Sequence, residues 1–519
     1  MSVQSRYVAL SAMLFAVAMT FIDQTIVAIA SPSIQAHLAL TRSGTTWGVN
    51  AYLLALAATF ALGGRLADVL GCRRMVTIGI IGFAASSALC GATPTSGIAQ
   101  TWLVAFRAAQ GVAAAIMVPA ALAIVVSAFP VQERGRALAI FFGISGGLTA
   151  IGPIAGGFLT QWTWRSIFWI NVPVAALALV LLARAHVTSP RRDERIDYPG
   201  AALVALGMGL SVVGFEQAAP WGWGNPATWL CIVGGLAVLA AFVVYETRVE
   251  QPLIKVRIFR DRAFVVDNAV LLLSNVAFVP LFFFASIYAQ LVLGYDANQA
   301  GLYLLVIFAG FAPAAQVGGR MLDRGGARRP LVIGSALSAV GFALWSTKVH
   351  DYSLGAQWPY IVMASAGIGL VLGPASTDAV NRSINASYGE VTGITQSVRN
   401  YGSTFGLAVL GTVLSTVFSN RLITALGGLG VPSSALHDVA QSSGPPSQSS
   451  LQSAPGPLRA SIEAAVRHDF ATGTQAVLVG MCLALAASLV FALWHPGRQA
   501  FASGVVVLQP EEAQEPVPD

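Results

Sequence analysis

Charged side chains are scarce in this sequence. Asp, Glu, Lys and Arg make up 10% of its 519 residues, while apolar residues make up 55%. Soluble proteins carry about 25% charged residues, so too little polar surface exists to cover a water-facing globule. Lysine is rarer still: Lys255 and Lys348 stand against 27 arginines, a bias that suggests a GC-rich bacterial genome. Neither lysine follows a glycine, so the Gly-Lys-Ser/Thr of a phosphate loop is missing and no ATP is expected as direct energy source. Four cysteines (Cys72, Cys90, Cys231, Cys482) are scattered without ligand spacing, which argues against a disulfide framework or a zinc site. No nucleophile–base or metal constellation is found, so neither an enzyme nor a cofactor is expected. The alternation of transmembrane strands, over about ten residues each, is absent too.

What the sequence has in abundance is apolar runs of about twenty residues, each long enough to cross a hydrocarbon core of about 30 Å as a helix. Mean hydropathy is +0.70. Spans are predicted near 7–30, 46–63, 75–93, 101–128, 136–160, 166–185, 198–217, 227–247, 264–291, 299–319, 330–348, 357–377, 391–418 and 473–494. The first is too long for a signal core, contains Asp23 and is followed by many like it, so it reads as a transmembrane helix. An even number of spans puts both termini on one side. With that side cytoplasmic, twenty-one basic residues fall inside, six fall outside, and Arg107 and Arg399 lie within spans. This is the bias expected of an inner (plasma) membrane protein with N- and C-termini cytoplasmic. It also accounts for the formal charge of +6 without a nucleic-acid partner.

The predicted fold class is an all-α polytopic membrane protein. A charged stretch at 186–197 ends a first six-helix block (7–185), and a second basic linker at 248–263 precedes another (264–494). Between them lies an inserted pair of helices, 198–247. Segment 419–472, with its Ser442-Ser443-Gly444-Pro445-Pro446 stretch, reads as a long extracellular loop, and 495–519 as a disordered cytoplasmic tail. The two blocks share a repeat. Gly63-Gly64-Arg65-Leu66-Ala67-Asp68, followed by Gly71, Arg73 and Arg74, recurs as Gly318-Gly319-Arg320-Met321-Leu322-Asp323, followed by Arg324, Gly326, Arg328 and Arg329. Each copy joins the second and third helices of its block, and two related halves are a common basis of alternating access.

Charges inside the membrane are costly and mark candidate sites. Asp23 lies about seven residues, or roughly 10 Å, from the outer end of the first span. Arg107, on the antiparallel fourth span, lies at similar depth, which permits contact without requiring it. Two readings are open: a static pair that fixes helix packing, or a carboxylate that loads and releases a proton as its surroundings alternate. The fifth span is rich in small residues: Gly143, Gly146, Gly147, Gly152, Pro153, Gly156 and Gly157, with spacings that permit tight helix crossing. Asp267, Asp378 and Glu390 fall near cytoplasmic ends, where a solvated carboxylate is expected, and Glu216 reads as interfacial. Candidate cavity residues are Asn275, Phe282, Tyr288 and Gln316, with Gln396, Arg399 and Asn400 clustered on the thirteenth span. Lipid or core packing is the plainer reading for any one of the aromatics. Trp221, Trp223 and Trp229 read as interfacial anchors.

Taken together, the sequence resembles the major facilitator superfamily, and within it the fourteen-helix drug:proton antiporters, over essentially residues 7–494. Gly64, Leu66, Ala67, Asp68, Gly71 and Arg73 match the family's loop motif. Leu103, Arg107, Gln110, Gly111, Ala114 and Ala115 resemble its fourth-helix motif, and Gly152, Pro153, Gly156 and Gly157 its antiporter motif. Asp23, Thr25, Val27, Ala30 and Pro32 resemble the first-helix motif, and Trp164-Arg165 and Ile170-Asn171-Val172-Pro173 look typical of the same branch. Val69 and Cys72 replace loop arginines, Leu148 a glycine and Ala28 an asparagine. The resemblance implies the major facilitator fold: two pseudo-symmetric six-helix bundles plus the inserted pair, fourteen transmembrane helices in all. It implies export of drug-like, lipophilic or cationic compounds in exchange for protons, with proton coupling at Asp23 and Arg107 and gating by Gly64, Asp68, Gly71, Arg73, Arg74, Asp323 and Arg324. The expected partners are the small-molecule substrate, protons and the lipid bilayer, with a monomer sufficient. Alternatives on the same fold are a dedicated exporter of one metabolite or antibiotic, or an uptake permease; a non-transporting membrane sensor is the third.

Overall fold

The computed structural model describes residues 3–129, 141, 152, 155–185, 196–250, 252–254, 256–381, 388–428 and 456–497. Among these, every regular element is helical, as lipid requires of a chain that must satisfy its backbone internally. Thirteen helices among the described residues are long and apolar enough to cross a membrane. The first four are α1 (Val3–Leu38), α2 (Arg42–Leu70), α3 (Cys72–Gly91) and α4 (Ala99–Ala128). The fifth expected span is helical at residues 155–162, here α5, and its earlier part, with Gly143, Gly146, Gly147 and Pro153, lies outside the described residues. Then come α6 (Ser166–Arg184), the inserted pair α7 (Tyr198–Glu216) and α8 (Pro226–Glu246), and α9 (Arg262–Leu291). The last five are α10 (Ala297–Gly325), α11 (Arg328–Lys348), α12 (Leu354–Asn381), α13 (Tyr388–Gly428) and α14 (Gly456–Leu493).

Short polar residues start the helices where the chain enters the apolar layer. Thr41 accepts the Gly44 N–H at 3.0 Å, Asp197 the Gly200 N–H at 3.0 Å, and Asp261 the Ala263 N–H at 2.8 Å. Asp296 and Gln299 form a reciprocal capping box on α10. Each supplies an acceptor to a backbone N–H that the helix itself leaves free.

Two bundles repeat one packing plan. α2 packs on α4 as α10 packs on α12, α3 on α4 as α11 on α12, and α1 on α6 as α9 on α14. The sequence repeat extends into these contacts. Gly63 lies against the Ala115 carbonyl, and in the same register Gly318 lies against that of Leu370, where an added Cβ would stand 2.9 Å from the oxygen. Gly71 and Gly326 close the two loops with φ of +95° and +79°. Each donates its N–H four residues back, to Ala67 O at 3.1 Å and Leu322 O at 2.9 Å.

The halves meet along α2 with α13 and α1 with α9, and α7 lies against both α2 and α13. Three hydrogen bonds hold α7 there: Asn50 Nδ2 to Glu216 Oε2 at 3.2 Å, Thr412 Oγ1 to Phe215 O at 2.8 Å, and Ser211 with Tyr401 at 2.7 Å. Glu216 is therefore buried against α2. Its position at a helix end hid the fact that another helix covers it. Trp221, Trp223 and Trp229 are exposed, as interfacial anchors require.

A side chain at a positive φ strains the backbone by about 1–2 kcal/mol. Gly71→Ala and Gly326→Ala should each lower the midpoint of thermal unfolding in detergent. Unchanged midpoints in both would contradict the loop geometry.

Candidate functional site

Asp23 sits midway along α1 and faces α4. Its Oδ2 lies 2.5 Å from Arg107 Nη1, and its Oδ1 accepts from Gln110 Nε2 at 3.0 Å. Arg107 also donates to Gln110 Oε1 at 2.6 Å and, through Nε, to the Gly48 carbonyl at 2.8 Å. Its guanidinium stacks over the Tyr52 ring, 4.5 Å from the centroid. Asp23, Arg107, Gln110 and Tyr52 are all buried, none more than 1% exposed. The two charges that similar depth allowed to meet are thus in direct contact, and a one-turn neighbour on α4 completes a closed triangle with them.

Glycine makes this approach possible. A Cβ on Gly111 would strike the Tyr52 carbonyl, so α4 can lie close enough to α2 for Arg107 to reach Gly48. On the other face of α1, a Cβ on Gly152 would strike Thr25 Oγ1, and one on Gly156 would stand 2.9 Å from Ile26 Cγ1. Both contacts fall within one turn of Asp23. Gly157 points to the other bundle, where its Cβ would stand 2.7 Å from Ala297 O at the start of α10.

Chemically, arginine stays charged in proteins, so the carboxylate is the member of the pair that can take a proton. A buried charge left without its partner costs about 3–5 kcal/mol.

The repeated loops occupy corresponding turns. Gly64 packs beside Pro119, whose Cβ is 3.8 Å from where a Gly64 Cβ would be. Asp68 is half-buried, whereas Arg73, Arg74, Asp323 and Arg324 are exposed. The cavity candidates do not converge on one site. Phe282 stacks on Phe308, with centroids 5.1 Å apart, and Tyr288 donates to Val349 O at 2.6 Å, so both pack within the C-terminal bundle. Asn275 bonds its own helix at Leu271 O, 2.8 Å away. Gln316 is exposed and Asn400 buried, and Arg399 donates to Gln396 at 2.9 Å. An apolar cavity of about 140 Å³ lies between α2, α7, α8 and α13, among Ala57, Met208, Phe242 and Ile394, and none of the seven lines it.

Two expectations are corrected. Asp267 and Asp378 are not solvated: both are buried, and His495, just past α14, stands between them. Nearness to a helix end misled because another segment covers that end. The Glu390 side chain lies outside the described residues. Tyr52 received no role from the sequence; Gln110 entered there only as part of the fourth-helix motif, and its place three residues after Arg107 carried the signal of a shared helix face. Arg165 also has a defined place, donating to the Gly91 and Thr93 carbonyls at 2.6 and 2.8 Å and closing the end of α3.

The description "Major Facilitator Superfamily" fits a family model that matches residues 13–407. The chain is 33% identical over 404 residues to a tetracenomycin C resistance and export protein of Streptomyces glaucescens, covering 77% of this chain and 74% of that one. It is 35% identical over 418 residues to a puromycin resistance protein of Streptomyces alboniger, covering 79% and 82%. The multidrug resistance protein Stp of Mycobacterium tuberculosis is 32% identical over 407 residues, covering 78% and 75%. Among solved structures, a bacterial homolog of the human lysosomal transporter Spinster, inward-facing and unoccupied, superposes with a TM-score of 0.60 at 16% identity, over 95% of this chain and 98% of that one. A D-xylose–proton symporter gives 0.57 at 15% identity, over 78% and 90%.

Arg107→Leu should destabilise the protein by about 3–5 kcal/mol, because it strands a buried carboxylate. Adding Asp23→Leu should recover most of that loss. If the double variant loses the sum of the two single losses, the pair is not coupled as described.

Proposed function

The chain belongs to the Major Facilitator Superfamily, and from that premise we propose that it exports drug-like, lipophilic or cationic compounds from the cytoplasm in exchange for protons. It is a multi-pass membrane transporter in this reading, not an enzyme, and needs neither ATP nor a cofactor. The observation that carries the coupling is the buried Asp23–Arg107 contact between α1 and α4, at 2.5 Å. It provides a group that is ionised when paired and neutral when unpaired, on a helix that also touches the opposite bundle through α9. Support for the substrate class comes from relatives named for drug and antibiotic resistance or export.

Bundles at 7–185 and 264–494 rock about a central path, with 186–263 spanning between them. The gradient biases this motion because the inward- and outward-open forms bind proton and substrate unequally. Protonation of Asp23 from outside releases Arg107 and substrate, and deprotonation inside restores the loading state. Each proton entering supplies about 2.3 kcal/mol per 100 mV. The loops with Gly64, Asp68, Gly71, Arg73 and Arg74, and with Asp323 and Arg324, latch the cytoplasmic ends. Gly152 and Gly156 keep the fifth span against α1 as it moves, Gly157 faces the start of α10, and the antiporter motif they share with Pro153 belongs to the same export reading. The substrate path follows α13, where Gln396, Arg399 and Asn400 offer polar groups among apolar ones. The basic bias supports an inner membrane location with both termini cytoplasmic, and the monomer is the working unit.

A second reading, a dedicated exporter of one antibiotic, is favoured by relatives named for single compounds: tetracenomycin C, puromycin and cephamycin. Growth of expressing cells against a diverse antibiotic and dye panel, with and without a protonophore, separates the two. Protection across several unrelated compounds supports multidrug export, and protection against one supports the dedicated form. In either case Asp23→Asn should abolish protonophore-sensitive efflux at unchanged expression. Full efflux by that variant would remove Asp23 from the mechanism.

A further inference from the structure

Between Thr392 and Asn400, α13 carries five buried polar atoms with no hydrogen-bond partner: Thr392 Oγ1, Thr395 Oγ1, Ser397 Oγ, Arg399 Nε and Asn400 Nδ2. Thr395, Ser397 and Asn400 are only 2%, 6% and 8% exposed. All five can donate a proton, and the guanidinium and amide nitrogens can do nothing else. Thr392, Thr395 and Arg399 follow the three- and four-residue spacing of one helix face, and Ser397 and Asn400 fall on the adjoining one.

Arg399 is also a full charge. Its hydrogen bond goes to Gln396 Oε1, a neutral acceptor on its own helix, at 2.9 Å. Arg107 shows what matching such a charge takes: a carboxylate, an amide oxygen and a backbone carbonyl. No carboxylate among the described residues pairs with Arg399. Buried acids elsewhere hold other partners: Asp23 has Arg107, Glu216 has Asn50, Glu246 has the Ile254 N–H and Asp378 has His495. Glu390 stands nine residues earlier on the same helix, about 13 Å down its axis, which is farther than an ion pair spans. Arg399 is half-buried where Arg107 is sealed, so a molecule moving along α13 can reach it.

A cation left unmatched inside a membrane protein is costly and marks a functional site. The two parallel N–H groups of a guanidinium fit the two oxygens of a carboxylate, and flanking hydroxyls can donate to the same group. We propose that Arg399, with Thr392 and Thr395 beside it, docks the anionic group of an exported compound, so that the substrates include lipophilic aromatic acids carried as carboxylates. This rests on the export reading and narrows it, because the uncompensated charge of Arg399 repels a cationic drug at this point of the path.

Three probes that share one ring system and differ in charge test the site: naphthoate, neutral naphthamide and naphthylmethylammonium. The readout is the thermal unfolding midpoint of the full-length protein in lipid nanodiscs, which rises with occupancy of a site present only in the folded state. Naphthoate should raise it most, naphthamide less and the ammonium least. Arg399→Gln should bind naphthoate at least about tenfold more weakly while leaving naphthamide unchanged, and Arg399→Lys should keep part of the preference, since it keeps the charge and loses the fork. The proposal is overturned if the three probes act alike, if the ammonium acts most strongly, or if Arg399→Gln binds naphthoate as the unaltered protein does. Should Arg399→Gln fail to fold, the order of the probes on the unaltered protein and a selective loss of naphthoate binding in Thr395→Val still decide. No transport enters this readout, so its failure leaves the export reading standing. Loss of protonophore-sensitive efflux with naphthoate binding intact counts against that reading alone.

Discussion

A charge buried in hydrocarbon must be matched, and the contact of Asp23 with Arg107 is where this molecule meets that demand most completely. The guanidinium reaches a carboxylate, an amide, a backbone carbonyl and an aromatic face, which draws α1, α2 and α4 together at one depth. Such a network is stable only while each member keeps its partner. In the proposed export mechanism that stringency is what would let one proton change the balance for three helices. In the register that pairs Gly71 with Gly326, Arg107 falls opposite Val362, so at this position the repeated packing plan carries a charge in one half and an apolar residue in the other.

Small residues set how close the helices come, and hence which polar groups can meet. Gly63 with Ala115 and Gly318 with Leu370 repeat one close crossing in both bundles, while Gly111, Gly152 and Gly156 seat α4 and α5 beside the charged pair. Without a hydrophobic force between helices in lipid, close packing and interhelical hydrogen bonds carry association. The inserted pair uses the same means. α7 joins α2 of one half to α13 of the other through Glu216, Phe215 and Ser211, so movement between the halves must act on those bonds.

Much of this was legible in the residues themselves. Apolar run length located the spans and the loop repeat revealed the halves, because each reflects a one-dimensional constraint that lipid imposes. The depth of Asp23 and Arg107 was legible for the same reason; their contact was not, since it depends on which faces of α1 and α4 oppose each other. Asp267 and Asp378 were misplaced because position along a helix predicts exposure only when nothing covers the end. His495, 117 residues from Asp378 and beyond the last apolar run, had no local pattern to announce it. Phe282 and Tyr288 illustrate the converse: aromatic clustering marks a packed core as readily as a cavity.

The account's central claim is that a proton moving onto and off Asp23 drives the exchange of sides. Purified protein in sealed vesicles, loaded with a transported dye and subjected to imposed pH and voltage differences, addresses it directly. The account predicts uphill dye movement that stops when both differences are collapsed. Accumulation that continued unchanged after their collapse would contradict it.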